Sequence, residues 1–267
     1  MKPLKFMLYQ GFLLICLLFI MGLPAIANEN NNNKKKENMV TFETVVVTGT
    51  KTEIPLDQST KSINVIMGEE LLEKQQFFLP ELIDNQPGVY LKRNGGIGQF
   101  STISIRGAGT QHTMFQYNGM PLRDIADTQS TLQFFIEDMF ASSSVDRVEI
   151  LKGTNSTLHG SQAMGGVINI IPVQNKDGFS GQWRNEFGPN NTYITQGNIS
   201  YGNNKGYIDF SPSYIKTDGE TNGGPHGYYY DSKGFTLGAG YDFTDATSLQ
   251  FTALASDSDL ALGAVMK

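Results

Sequence analysis

"VDRVEILKGTNSTLHGSQAMGGVINII", residues 145–171, holds two strand candidates separated by a glycine-rich connection. Arg147–Leu151 forms the first, and Gly166–Pro172, with Val167, Ile168, Ile170 and Ile171, forms the second. The connection Gly153–Ser161 has no Lys before its final Ser, so it does not fit a phosphate loop. Its glycines instead supply positive φ angles and close backbone approach.

Upstream, the same mixed α+β grammar continues. Ile63, Val65 and Met67 alternate as a short strand, and Gly68–Lys74 reads as a helix with its acids in the first turn, where the helix dipole favours them. Pro80 opens a second helix, which Gln86-Pro87-Gly88 stops. Three strand candidates follow: Val89–Lys92, Thr102–Arg106, and Thr113–Tyr117 before the turn pair Asn118-Gly119. Gly95-Gly96-Ile97-Gly98 opens no helix, which excludes a second nucleotide-binding reading.

Downstream of Phe179 the pattern becomes alternating segments of about ten residues. Tyr193, Ile199 and Tyr201 fall on one face of Thr192–Tyr201, opposite Thr192, Gln196, Asn198 and Ser200. Phe235, Leu237, Ala239, Tyr241 and Phe243 oppose Thr236, Gly238, Gly240 and Asp242, and Leu249, Phe251, Ala253 and Ala255 repeat the pattern. A soluble antiparallel sandwich also alternates. The connections favour a transmembrane β-barrel: Gly202–Gly206 and Thr244–Thr247 are short, whereas Thr217–Lys233 is long, polar and Gly-rich.

The N-terminus sets the compartment. Lys2 and Lys5, the apolar run Phe12–Leu23 and the small-residue site Ala25-Ile26-Ala27 describe a secretory signal peptide, the run being shorter than the roughly 20 residues of a membrane span. Cleavage after Ala27 removes Cys16, the single cysteine, and leaves no disulfide chemistry. It also removes two lysines, so 20 − 2 basic residues face 26 acidic ones and the formal charge moves from −6 to −8. An acidic chain argues against nucleic acid as a partner, and Lys34-Lys35-Lys36 sits within an Asn-rich, solvated tether. His112, His159 and His226 are too scattered for a metal site, and no nucleophile, base and orienting acid recur together; neither an enzyme nor a cofactor is expected.

Three motifs in series carry a resemblance: "LPELIDNQPGVYLKRNGGIGQFSTISIRG", "QYNGMPLRD" and the stretch quoted above. Their order and spacing, from about Glu43 to Pro172, resemble the plug domain of TonB-dependent outer-membrane receptors. The expected fold class is an α+β plug domain followed by the first strands of an antiparallel transmembrane β-barrel, which closes with about 22 strands in the full-length family. The expected boundaries are signal peptide 1–27, tether 28–40, TonB box 41–51, plug 52–175 and about five barrel strands in 176–267. Ending at Met266-Lys267, without a terminal aromatic, the chain is expected to be truncated. Thr154, where a Pro is common, and His159, where Tyr is usual, depart from the family pattern.

The resemblance implies partners and sites. "ETVVVTGT" is similar to a TonB box, so Glu43, Thr44, Val45, Val46, Val47 and Thr48 are expected to add a strand to TonB, although the same segment could first dock on the plug. Ligand is expected at Asn94, Gln99, Phe100, Ser101, Asp124 and Thr128, in the loops that match the plug apex. Arg106, Arg147 and Glu149 are expected to form reversible plug–barrel contacts. "NGGIGQFSTISIRG" is most similar to the cobalamin receptor branch, with ferric siderophore or haem receptors as the alternative and a non-transporting plug-containing fragment as the reading of another class. Asp218, Glu220 and Asp231 are candidate calcium ligands in the long loop. Outer-membrane lipid and a small-molecule nutrient complete the implied partners, and the implied location is a Gram-negative outer membrane.

Overall fold

The structure is a computed structural model that describes residues 45–46, 48–52, 54–74, 78–93, 96–98, 101–122, 144–175, 177–219, 229–244 and 246–261. Val45–Val46 (β1) pairs antiparallel with Ile54–Pro55 (β2). Ile63–Met67 (β3) leads into helix Gly68–Glu73 (α1), whose Glu70 meets Lys74 one turn on at 3.2 Å. Helix Leu79–Asp84 (α2) carries Pro80 in its first turn, where a missing N–H costs nothing. Val89–Arg93 (β4) and Ser101–Ile105 (β5) form a separate two-stranded sheet.

Thr113–Tyr117 (β6) turns through Asn118-Gly119, with φ of 48° and 77°, into Met120–Leu122 (β7). Positive φ at both positions is the type I′ requirement that the Asn-Gly pair meets. Val145–Lys152 (β8), helix Ser156–His159 (α3) and Gly166–Pro172 (β9) complete this unit. The resulting sheet has the order β3-β8-β9-β6-β7, parallel only between β6 and β9. Central β9 is buried along its whole length, which explains its near-continuous apolar sequence.

One face of that sheet packs Val148, Ile150, Ile168, Ile170, Phe115 and Tyr117 into the main core. The opposite face holds Leu151, Val167 and Met114 with Ala163.

A five-stranded meander follows: Gly178–Gly188 (β10), Thr192–Asn203 (β11), Gly206–Thr217 (β12), Tyr229–Thr244 (β13) and Thr247–Ala261 (β14), all antiparallel and in sequence order. The alternation read from the sequence matches its two faces. Leu249, Phe251, Tyr241, Phe243 and Tyr201 are exposed on the outer face, whereas Gln196, Asn198, Ser200 and Thr236 are buried on the inner face. The long connection is shorter than expected, because Tyr229–Lys233 is already strand; the link between β12 and β13 is 218–228. Long side chains at Tyr229 and Tyr230 extend the pleat into a stretch whose glycines had suggested loop.

Strand order gives the meander two ends. The turn at 189–191 and the 218–228 link lie at one end, and the tight turns after Asn203 and Thr244 lie at the other.

Candidate functional site: the Thr48 socket and the two ends of the plug

Strand register explains the main polar feature. Glu149 of β8 pairs with Asn169 of β9, and Asn169 pairs with Gln116 of β6, so three polar side chains stand in one row across the centre of the sheet. All three are buried, Glu149 at 0% exposure. Each such group left unpaired would cost about 1–3 kcal/mol.

Thr48 caps the row. Its backbone N–H and its Oγ1–H both donate to Glu149 Oε2, at 2.7 and 2.6 Å, and Asn169 Nδ2 donates to Thr48 Oγ1 at 3.0 Å. His159, at the end of α3, donates from Nε2 to the Thr48 carbonyl at 2.8 Å and accepts at Nδ1 from Gln116 Nε2 at 2.9 Å. Burial lowers the pKa of His159; the Thr48 carbonyl opposes that shift, and Lys51 and Lys61 add to it. The other Glu149 oxygen accepts from Arg147 Nε at 2.9 Å.

Beside the socket lies a cleft of about 450 Å³, lined in part by Lys51, Thr52, Asn118, Arg147, Gln174 and Gln250. Asn118 Nδ2 crosses it to donate to Gln250 Oε1 at 3.1 Å. Gln250 follows the tight turn between β13 and β14, so Thr48 and Lys51 lie toward the short-turn end of the meander.

The opposite end carries a second contact. Phe78 and Ile97 pack with Ile194, Ile215 and Tyr230, which border the 189–191 turn and the 218–228 link. Gly98, at φ +76°, lies so close that a Cβ there would come within 2.4 Å of the Tyr230 ring atoms. Between the ends, Tyr117 is buried, and burial raises the pKa of its phenol.

Residues 55–167 match the family described as TonB-dependent Receptor Plug Domain. This segment is a TonB-dependent receptor plug domain. The chain is also 32% identical over 129 residues to the vitamin B12 transporter BtuB of Vibrio cholerae serotype O1, a match covering 48% of this chain and 20% of that relative. For the vitamin B12 transporter BtuB of Vibrio vulnificus the identity is 30% over 140 residues, covering 52% and 22%. The chain thus spans about a fifth of the length of these relatives. Among solved structures, the ferripyoverdine receptor of the outer membrane of Pseudomonas aeruginosa has a TM-score of 0.64 at 19% identity, over 80% of this chain and 27% of that one. The ferric yersiniabactin uptake receptor FyuA from Yersinia pestis has a TM-score of 0.59 at 21% identity, over 74% and 32%. These structures share the fold: a plug domain followed by antiparallel strands.

Several expected site residues are placed by the structure. Val45, Val46 and Thr48 sit on the plug, Val46 and Thr48 buried, so the segment pairs with its own chain in this state. Glu43, Thr44 and Val47 lie outside the described residues, as do Asn94, Gln99, Phe100, Asp124 and Thr128. Ser101 begins β5 and is 1% exposed.

Among the described residues, Arg147, Glu149 and Arg106 find partners within the plug. Arg147 pairs with the adjacent Asp146 at 2.8 Å and with Glu149 at 2.9 Å, the latter because residues i and i+2 share a face of β8. Arg106, at φ 52°, follows β5 and donates to Ser62 Oγ at 3.3 Å, also within the plug. Of the calcium candidates, Asp218 accepts from Asn191, Asp231 accepts from Tyr214 and Tyr229 and pairs with Lys233, and Glu220 lies outside the described residues.

Asn169, Gln116 and His159 had no assigned role in the sequence reading. Asn169 alone left a local signal, a polar residue at the centre of the otherwise apolar strand Gly166–Pro172.

Proposed function

We propose that this chain is part of a TonB-dependent outer-membrane receptor for energised uptake of a large, scarce nutrient, cobalamin in preference to a ferric siderophore or haem. The observation that carries the substrate preference is the 32% identity to a vitamin B12 transporter over 129 residues. The solved siderophore receptors are alike in fold only, at 19–21% identity.

In this reading the meander is barrel wall, its aromatic outer face meets lipid, and its tight turns face the periplasm. The plug then presents Gly96–Gly98 toward the outside and Thr48 toward the periplasm, at opposite ends of one domain. TonB captures residues 43–48 by strand addition, which requires the Val45–Val46 pairing with Ile54–Pro55 to open. Ligand can promote that opening only through different affinities for the two plug states.

Equilibrium binding of cyanocobalamin and of ferric siderophores to the whole protein in outer-membrane fragments tests the reading. Saturable cobalamin binding is expected. Binding of ferric siderophores alone would transfer the assignment to that class, and binding of neither would overturn nutrient uptake.

A further inference from the structure

The partners of His159 dictate its protonation state. The Thr48 carbonyl only accepts, so His159 Nε2 carries a proton; Gln116 Nε2 only donates, so His159 Nδ1 carries none. Gln116 Nε2 also reaches Met114 Sδ at 3.4 Å, a second weak acceptor that favours the same amide orientation. The socket is therefore built around a neutral imidazole. A second proton, on Nδ1, would point at a donor and place a charge at a buried position.

The charged surroundings act in the same direction. The segment that carries Thr48 contributes Lys51, and the stretch before β3 contributes Lys61, whose Nζ donates to Asn155 Oδ1 at 2.9 Å beside α3. Strand β8 contributes Glu149, already engaged by Thr48 and Arg147, while β6 and β9 contribute the uncharged Gln116 and Asn169.

We propose that His159 is a positioning residue that makes retention of the Val45–Thr48 segment on the plug depend on proton concentration: the neutral ring holds the Thr48 carbonyl, and the protonated ring releases it. The inference rests on the reading of this segment as the TonB-binding strand. The sign follows from which state prefers the neutral ring. Retention is complete above the ordinary histidine pKa of about 6.5 and weakens as pH falls below it, because the released, solvated ring takes up the proton more readily than the docked one. Acidification on the periplasmic side would then expose the strand without ligand.

The test uses the whole protein in outer-membrane fragments on a Cys16→Ser background, with a spin label at Thr50→Cys beside the socket and a control label at Glu73→Cys on α1. Between about pH 7.5 and about pH 5, the range in which histidine titrates, the mobile fraction at position 50 is expected to rise severalfold while position 73 stays unchanged. His159→Gln, whose amide still donates to the Thr48 carbonyl, is expected to flatten that profile. The midpoint of His159 C2-hydrogen exchange must coincide with the midpoint of release, a measurement that decides the matter even if His159→Gln loosens the segment at every pH. A flat wild-type profile, a rise that survives His159→Gln, or non-coincident midpoints would each overturn the proposal. If the released segment fails to capture the periplasmic domain of TonB, the partner assignment falls while the proton latch stands.

Discussion

Thr48 and Glu149, separated by 101 positions in the chain, meet through two hydrogen bonds to one carboxylate oxygen, at 2.7 and 2.6 Å. One bond comes from backbone and one from side chain, so the carboxylate recognises a hydroxyl residue in a particular turn. A strand-prone segment is thereby anchored to the sheet core of its own domain.

Thr48→Val keeps the shape but removes the hydroxyl, leaving Glu149 Oε2 with one donor fewer and Asn169 Nδ2 without this acceptor. Docking of the segment is expected to weaken by about 1–3 kcal/mol. Hydrogen exchange at residues 45–50 should accelerate accordingly while β8 and β9 stay protected. Unchanged exchange would show that the β1–β2 pairing alone holds the segment.

Gly98→Ala meets two obstacles, a positive φ and the Tyr230 ring. It is expected to cost about 1–3 kcal/mol. Tyr230→Ala should recover the steric part in a double-mutant cycle read by urea unfolding, and the backbone part should remain. Strict additivity would mean that Gly98 and Tyr230 do not meet.

Tyr117→Phe removes a buried phenol that has a partner in the folded chain. A loss of about 0.5–1.5 kcal/mol is expected. Because burial raises the pKa of this phenol, it should also be absent from the tyrosines that ionise early in an ultraviolet alkaline titration. If Tyr117→Phe lowers the early-titrating amplitude, the phenol is solvated and the contact is not formed.

Phe251 and Gln250 are neighbours on β14 with opposite surroundings, Phe251 exposed on the outer face and Gln250 bonded to Asn118 of the plug. Phe251→Arg is expected to destabilise the membrane-inserted form by about 2–4 kcal/mol if it lies near the bilayer midplane. Gln250→Lys should leave insertion intact. Folding yield into lipid vesicles compares them, and equal yields would contradict the assignment of faces.

Periodicity made the strands legible. Ile63–Met67, Thr113–Tyr117 and Gly166–Pro172 are the strands found, and the Asn118-Gly119 turn follows from the φ angles this pair adopts without strain. The faces of β13 and β14 were equally legible, since a period of two repeats along each strand whatever its neighbours. Such signals are local.

The socket was not legible, because Glu149, Asn169 and Gln116 lie on three strands and become neighbours only through register. Val45–Thr48 shows why the two levels separate. The amino-acid sequence alone determines that this segment is strand-prone and follows a polar stretch. Only tertiary structure decides that it lies on its own plug, with Thr48 adding two donors and an acceptor to a buried polar row. Arg147 lies on the face of β8 that carries Glu149, and burial of that carboxylate by the neighbouring strands places their ion pair within the plug.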